Sequence, residues 1–162
     1  MRALRPAIDQ KSMVDIYYSF FYPHLIYGLE FWGHASDSQL QPIQTLQKNA
    51  LRIIKGIRPG GHISSHFEKL KIMPLQMLFE YRTLKLLLKS YSIQDILNMK
   101  TNHEYNTRSN ELKIIKTNNK RGERSLLSNG ISLFNKYLLG VWTGPGCDLT
   151  VGLAGRLWSR GG

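Results

Sequence analysis

Residues 22–34, YPHLIYGLEFWGH, crowd two tyrosines, a phenylalanine, a tryptophan and two histidines around one carboxylate, Glu30. Such side chains can do acid–base work or stack on exposed bases, so this stretch is the first candidate for chemistry. His62 and His66 are the second, four residues apart, a spacing that places two imidazoles on one helix face. No Glu follows His62, so the pair lacks the zinc-protease arrangement; Glu68 is the nearest carboxylate, and no third ligand presents itself. Ser36, Ser64 and Ser65 lie near histidines, but none stands in the strand–turn–helix G-x-S-x-G context of an activated serine. Asp9, Asp15, Asp37, Asp95 and Asp148 occur singly, without the paired carboxylates that hold metal ions for nucleotidyl transfer. There is no phosphate-binding glycine loop. Cys147 is the only cysteine, which excludes an internal disulfide and any zinc site built from several thiolates. The expectation is a chain with no catalytic residues, no metal and no cofactor.

Charge offers a different kind of site. Lys and Arg total 22 against 11 acidic residues, a net +11. Residues 1–47 hold three basic and four acidic residues, residues 48–125 sixteen and six, and residues 126–162 three and one. Nearly all of the excess thus falls in the middle of the chain. Lys and Arg gathered in this way displace counterions from a nucleic-acid backbone and bind it without reading sequence. A solvated basic face is the plainer alternative.

The elements that would carry these residues are helical. From Asp9 to about Trp32 the apolar residues run almost all round a helical wheel. Val14, Tyr18, Phe21, Leu25 and Trp32 form one stripe, and Met13, Tyr17, Phe20, His24, Tyr27 and Phe31 another. So wide an apolar face predicts a core helix, with Pro23 as its kink or break and His24 inside the core. Within 36–56, Ser36 or Asp37 is an N-cap, Gly56 a stop, and Pro42 confines the regular part to 42–55. Ile43, Leu46, Ala50, Ile53, Ile54 and Ile57 make its apolar stripe, while Lys48, Arg52 and Lys55 share the opposite side. RPGGH (58–62) is a turn, and a short helix spans 63–70. Pro74 opens a helix running to about Ser90, with Met77, Tyr81, Leu84, Leu88 and Tyr91 buried and Arg82, Lys85 and Lys89 on a second cationic face. Residues 98–123 are an extended basic loop, and 124–139 a last helix weakened by Gly130. The final 23 residues hold seven glycines and no lysine, which predicts a poorly ordered tail over 140–162.

Five segments add a resemblance. YYSFFYPHLIYGLEFWG, LQKNALRIIKG, ISSHFEKLKIMPL, HEYNTRSN and ISLFNKYL occur in this order. Together they resemble the segment that follows the polymerase domain in reverse transcriptases of non-LTR retrotransposons, the jockey-like and tick-transposon-like mobile elements. The resemblance covers about residues 4–139. One departure lies in the closing helix, where Phe134 stands in place of the tryptophan that commonly precedes the asparagine corresponding to Asn135. The resemblance implies a parent RNA-directed DNA polymerase whose paired aspartates lie upstream of the matched region. It implies packing against that upstream polymerase domain and help in holding template RNA or target DNA.

The sequence thus predicts an all-α fold: a single small domain of four to five helices over 1–139, a long basic loop and a Gly-rich tail. The expected partner is RNA or DNA, held non-specifically at the backbone by Lys48, Arg52, Lys55, Arg82, Lys85 and Lys89. Arg108, Lys120 and Arg121 in the loop are weaker candidates. No run is long and apolar enough for a membrane span, and the start lacks the apolar stretch of a signal peptide. The expected location is therefore intracellular, nuclear or cytoplasmic. The alternative from another class is a helical protein-interaction domain with no nucleic-acid role, its apolar surface left partly uncovered.

Overall fold

The computed structural model describes residue 3 and residues 5–92, 95–96, 112 and 125–137. Among these residues every regular element is helical and there is no β-strand, so the all-α class holds. No described helix is long and apolar enough to cross a membrane. The chain divides into two compact units, Met1–Phe79 and Glu80–Gly162.

The first unit opens with α1 (Gln10–Ile16), capped by Asp9. The Asp9 carboxylate accepts hydrogen bonds from the Ser12 hydroxyl and from the Lys11 and Ser12 amides, which holds its pKa below the ordinary value. A π-helical turn, Tyr17–Phe21, and then α2 (Tyr22–Ile26) follow without a break. The wide turn has a reason in the sequence. Met13, Tyr17, Leu25 and Leu29 are the buried residues here, and they recur at fours and multiples of four. A regular helix drifts about 40° for every four residues, so a seam of fours leaves the core within three turns. One turn with an extra residue restores the register. It also accommodates Pro23, whose ring would meet the Ser19 carbonyl in a regular helix. There the Tyr22 amide reaches back to the Tyr17 carbonyl.

Pro23 thus leaves the hydrogen-bonded segment unsplit, and the departure from a regular helix expected at this proline is the wide turn that precedes it. The break comes at Tyr27, in extended backbone, and at Gly28, whose φ of 62° suits a residue without Cβ. The Trp32 indole N–H caps the opening by donating to the Tyr27 carbonyl at 2.8 Å, and α3 (Leu29–Trp32) resumes. The expected all-round burial is also corrected. Phe20, Tyr27 and Phe31 are 71%, 85% and 86% exposed, and His24 is on the surface instead of in the core. A seam of fours can bury one side only: it takes Met13 and Tyr17 from one predicted stripe and Leu25 from the other, and leaves the remaining aromatics of both at its edges or outside.

The longest helix, α4, spans Asp37–Lys55, longer at its start than the 42–55 expected. Ser36 and Gln39 form a reciprocal capping box, with the Ser36 amide donating to Gln39 Oε1 at 3.3 Å. That cap holds the first turn although Pro42, one turn further on, lacks its own amide. The helix ends in a Schellman motif. Gly56 is left-handed, its amide reaches the Ile53 carbonyl, and the Ile57 amide reaches the Arg52 carbonyl.

The buried seam of α4 is Leu40, Gln47, Ala50, Leu51 and Ile54. Ala50 and Ile54 are buried as predicted, but the centre of the seam lies about 65° round the helix from that of the predicted stripe, with Leu46 57% exposed and Ile43, Ile53 and Ile57 at the flanks. Gln47 explains the rotation. Its Nε2 donates to the Met73 carbonyl at 2.8 Å and to the Tyr17 hydroxyl at 3.1 Å, while its Oε1 accepts from the Leu75 amide at 3.0 Å. One buried amide thus satisfies the backbone entering the next long helix and fixes which side of α4 faces in. Between them lies α5 (Ser64–Lys69), which also ends on a Schellman pair, with Lys71 left-handed at φ 54°. The Tyr18 hydroxyl donates to the Lys71 carbonyl at 2.8 Å and secures this turn.

Helix α6 (Leu75–Ser90) contributes Leu75, Leu78 and Phe79 to the core of the first unit. Its later residues belong to the second unit, where Glu80, Thr83, Leu84 and Leu87 are buried. Of the stripe predicted here only Leu84 is buried; Met77, Tyr81, Leu88 and Tyr91 are half-buried. The last described helix, α7 (Leu126–Tyr137), buries Ile131, Leu133 and Phe134. Gly130 is a close-approach residue here, not a weakness. A Cβ at this position would lie 3.0–3.2 Å from the Leu87 side chain. Asn135 clamps Leu112, accepting its amide at 3.0 Å and donating to its carbonyl at 2.9 Å. The rest of the 98–123 loop, including Arg108, Lys120 and Arg121, and the 140–162 tail lie outside the described residues.

Candidate nucleic-acid interface

The aromatic stretch that opened the sequence does not converge into a pocket. His24 is exposed, while His34 is half-buried with its ring edge-on to Phe79 at 4.8 Å. His62 is exposed, and His66 shares a 3.3 Å contact between its Nδ1 and the Ser65 hydroxyl. Among the described residues no three His, Cys, Asp or Glu side chains gather as metal ligands would.

The cationic residues of α4 are arranged differently. Because the buried seam is rotated, Lys48, Arg52 and Lys55 lie beside it and not opposite it, and all three are half-buried. Arg52 Nε donates to the Gly61 carbonyl at 3.0 Å and Nη1 to Asn49 Oδ1 at 2.8 Å, tying the 58–61 turn to the helix. Lys55 Nζ donates to Gln10 Oε1 at 3.1 Å, tying α4 to α1. Lys48 makes no hydrogen bond or ion pair among the described residues. Among the described residues every hydrogen-bond partner of this group is neutral. Between Asp37 and Glu68 the chain has no carboxylate, and Lys48, Arg52, Lys55 and Arg58 form no ion pair among the described residues. Cations in the last turn also suit the partial negative charge of the helix end.

Another cation joins them that spacing could not reveal. Arg5, 48 residues before its partner, donates from Nε to the Ile53 carbonyl at 3.1 Å. Its guanidinium lies so close to Gly56 that a Cβ there would be 2.9 Å from Nη2. Arg5, Pro6, Asn49, Arg52, Gly56 and Pro59 help line an open cleft of about 500 Å³.

In the second unit Lys85 and Lys89 are exposed and Arg82 is half-buried, as a surface cationic face requires. Lys85 Nζ stands 5.9 Å from the centre of the Tyr81 ring. The buried acid of the same helix, Glu80, is engaged internally. It accepts from Lys136 Nζ at 3.1 Å and from the Tyr137 hydroxyl at 2.5 Å. Hydrogen bonding to Tyr137 and Glu80 raises the Lys136 pKa, and burial followed by the Glu80 contact raises that of Tyr137. The cluster is a structural clasp between α6 and α7. The chain matches no protein-family model, no curated protein and no solved structure.

Proposed function

We propose that this chain binds the sugar–phosphate backbone of RNA or DNA non-specifically, through the cationic residues of α4 in the first unit and of α6 in the second, and catalyses no reaction by itself. The observation that carries this reading is the α4 group. Lys48, Arg52 and Lys55 keep their full charge, bonded only to neutral atoms where they are bonded at all, along a stretch without a carboxylate. The resemblance to the segment behind a retrotransposon polymerase supplies a context, a remnant that once held template RNA or target DNA beside an upstream catalytic domain.

Binding to single-stranded RNA at two salt concentrations tests it. Each phosphate contacted contributes about −0.7 to the slope of log affinity against log salt. The expected outcome is a slope of several such contacts, and an affinity indifferent to salt would sink the reading. The second reading, a protein-interaction domain, draws on the exposed Phe20, Tyr27, Phe31 and Leu46. It expects self-association in light scattering together with no measurable RNA affinity.

A further inference from the structure

We infer that the cleft at the C-terminal end of α4 is a seat for one phosphate group of the bound strand, with Arg5 and Arg52 as its ligands. This deepens the proposed function and rests on it. The cleft is lined by two guanidiniums and the Asn49 amide, and by no carboxylate. Both guanidiniums are fixed in place by their Nε atoms, Arg5 on the Ile53 carbonyl and Arg52 on the Gly61 carbonyl. Arg52 is fixed a second time through Nη1 on Asn49. Both terminal nitrogens of Arg5 and Nη2 of Arg52 have no partner among the described residues. Anchored guanidiniums with donors to spare are suited to a phosphate oxygen pair, because their planar fork loses little freedom on binding.

The helix end opposes an anion, but weakly. Its carbonyls amount to roughly half an elementary charge, against two full positive charges on the arginines. Moreover the carbonyls of Arg52 and Ile53 are already occupied, by the Schellman amides and by Arg5 itself. The balance at the cleft is cationic.

Two arms test the seat on the full chain. In the first, inorganic phosphate is titrated while the Nε–H signals of Arg5 and Arg52 are followed by NMR. Both signals should shift saturably, and the Arg52 shift should disappear in Arg5→Gln. In the second, the salt slope for single-stranded RNA is compared between wild type and Arg5→Gln. The slope should shrink by about 0.7, one phosphate contact on a single strand, with Arg5→Lys losing the forked contact but keeping part of the slope. A near-unchanged thermal unfolding curve shows that Arg5→Gln still folds. RNA binding with an unaltered slope in Arg5→Gln overturns the seat and leaves the wider reading standing. Saturable phosphate shifts without RNA binding overturn the nucleic-acid reading while retaining an anion site. Signals indifferent to phosphate overturn the seat outright.

Discussion

Tyr17 and Gln47 meet in the core, and each constrains the other. Tyr17 is fully buried between Tyr18 and Phe21, and its hydroxyl accepts from Gln47. Burial pushes its pKa up to about 12 from 10.0, although the Gln47 bond works the other way. The folded state therefore holds the phenolic proton more tightly than the unfolded chain does. Its contribution is intact below pH 10 and is lost as pH rises from about 10 through about 12. Two pKa units correspond to ~2.7 kcal/mol. Denaturant melts across that window should show a loss of this order in the wild type and a distinctly smaller one in Tyr17→Phe. Tyr18, also raised by burial, adds a shift of the same sign. An equal loss in both proteins would remove Tyr17 as the cause.

At the level of the helix, α4 shows what a sequence conveys and where it falls short. Its caps were legible in Ser36, one of the two N-cap candidates, and in Gly56, because both act on neighbouring backbone; the part of Gln39 was not. Its existence was legible from the apolar period. Its buried side was not. The helix carries more apolar residues than the core accepts, and the choice among them is made by Gln47, through its partners Met73 and Leu75. Those partners are 26 and 28 residues from Gln47, over a third of the described first unit, and a polar residue in a seam is invisible to a hydrophobic wheel. Leu46→Ala should accordingly change stability by no more than about 0.5 kcal/mol, whereas Leu51→Ala should cost about 2–5 kcal/mol. Comparable losses in chemical denaturation would contradict the rotated face. The same gap hid Arg5: Lys48, Arg52 and Lys55 follow from helical spacing, but nothing local to Arg5 points to the end of α4.

For the molecule as a whole, the uneven charge of the sequence translates into cations that differ in what else they do. Lys48 bonds to nothing described, while Arg52 also holds the turn at Gly61. Charge reversal should separate these roles. Lys48→Glu is expected to weaken RNA binding and leave the melting temperature within about a degree or two, as for a surface change of a few tenths of a kcal/mol. Arg52→Glu should lower both, because it removes a contact and strands the Gly61 carbonyl. Identical behaviour of the two variants in paired binding and melting experiments would contradict that division. The all-α class was legible from periodicity alone, since helices announce themselves locally. The division into two compact units was not, because it falls inside α6, whose sequence runs on without a breaker.

The wide turn at Tyr17–Phe21 has a bearing on how this chain can change in length. It holds one residue more than a regular helix needs, so a deletion there would keep Met13 and Leu25 on one face, now eleven residues apart, close to three full turns. Pro23 stands in the way. Once the turn narrows, its ring meets the carbonyl one turn back, at a cost of about 3 kcal/mol. The extra residue is thus tied to the proline: it cannot be deleted from the segment unless Pro23 is replaced as well.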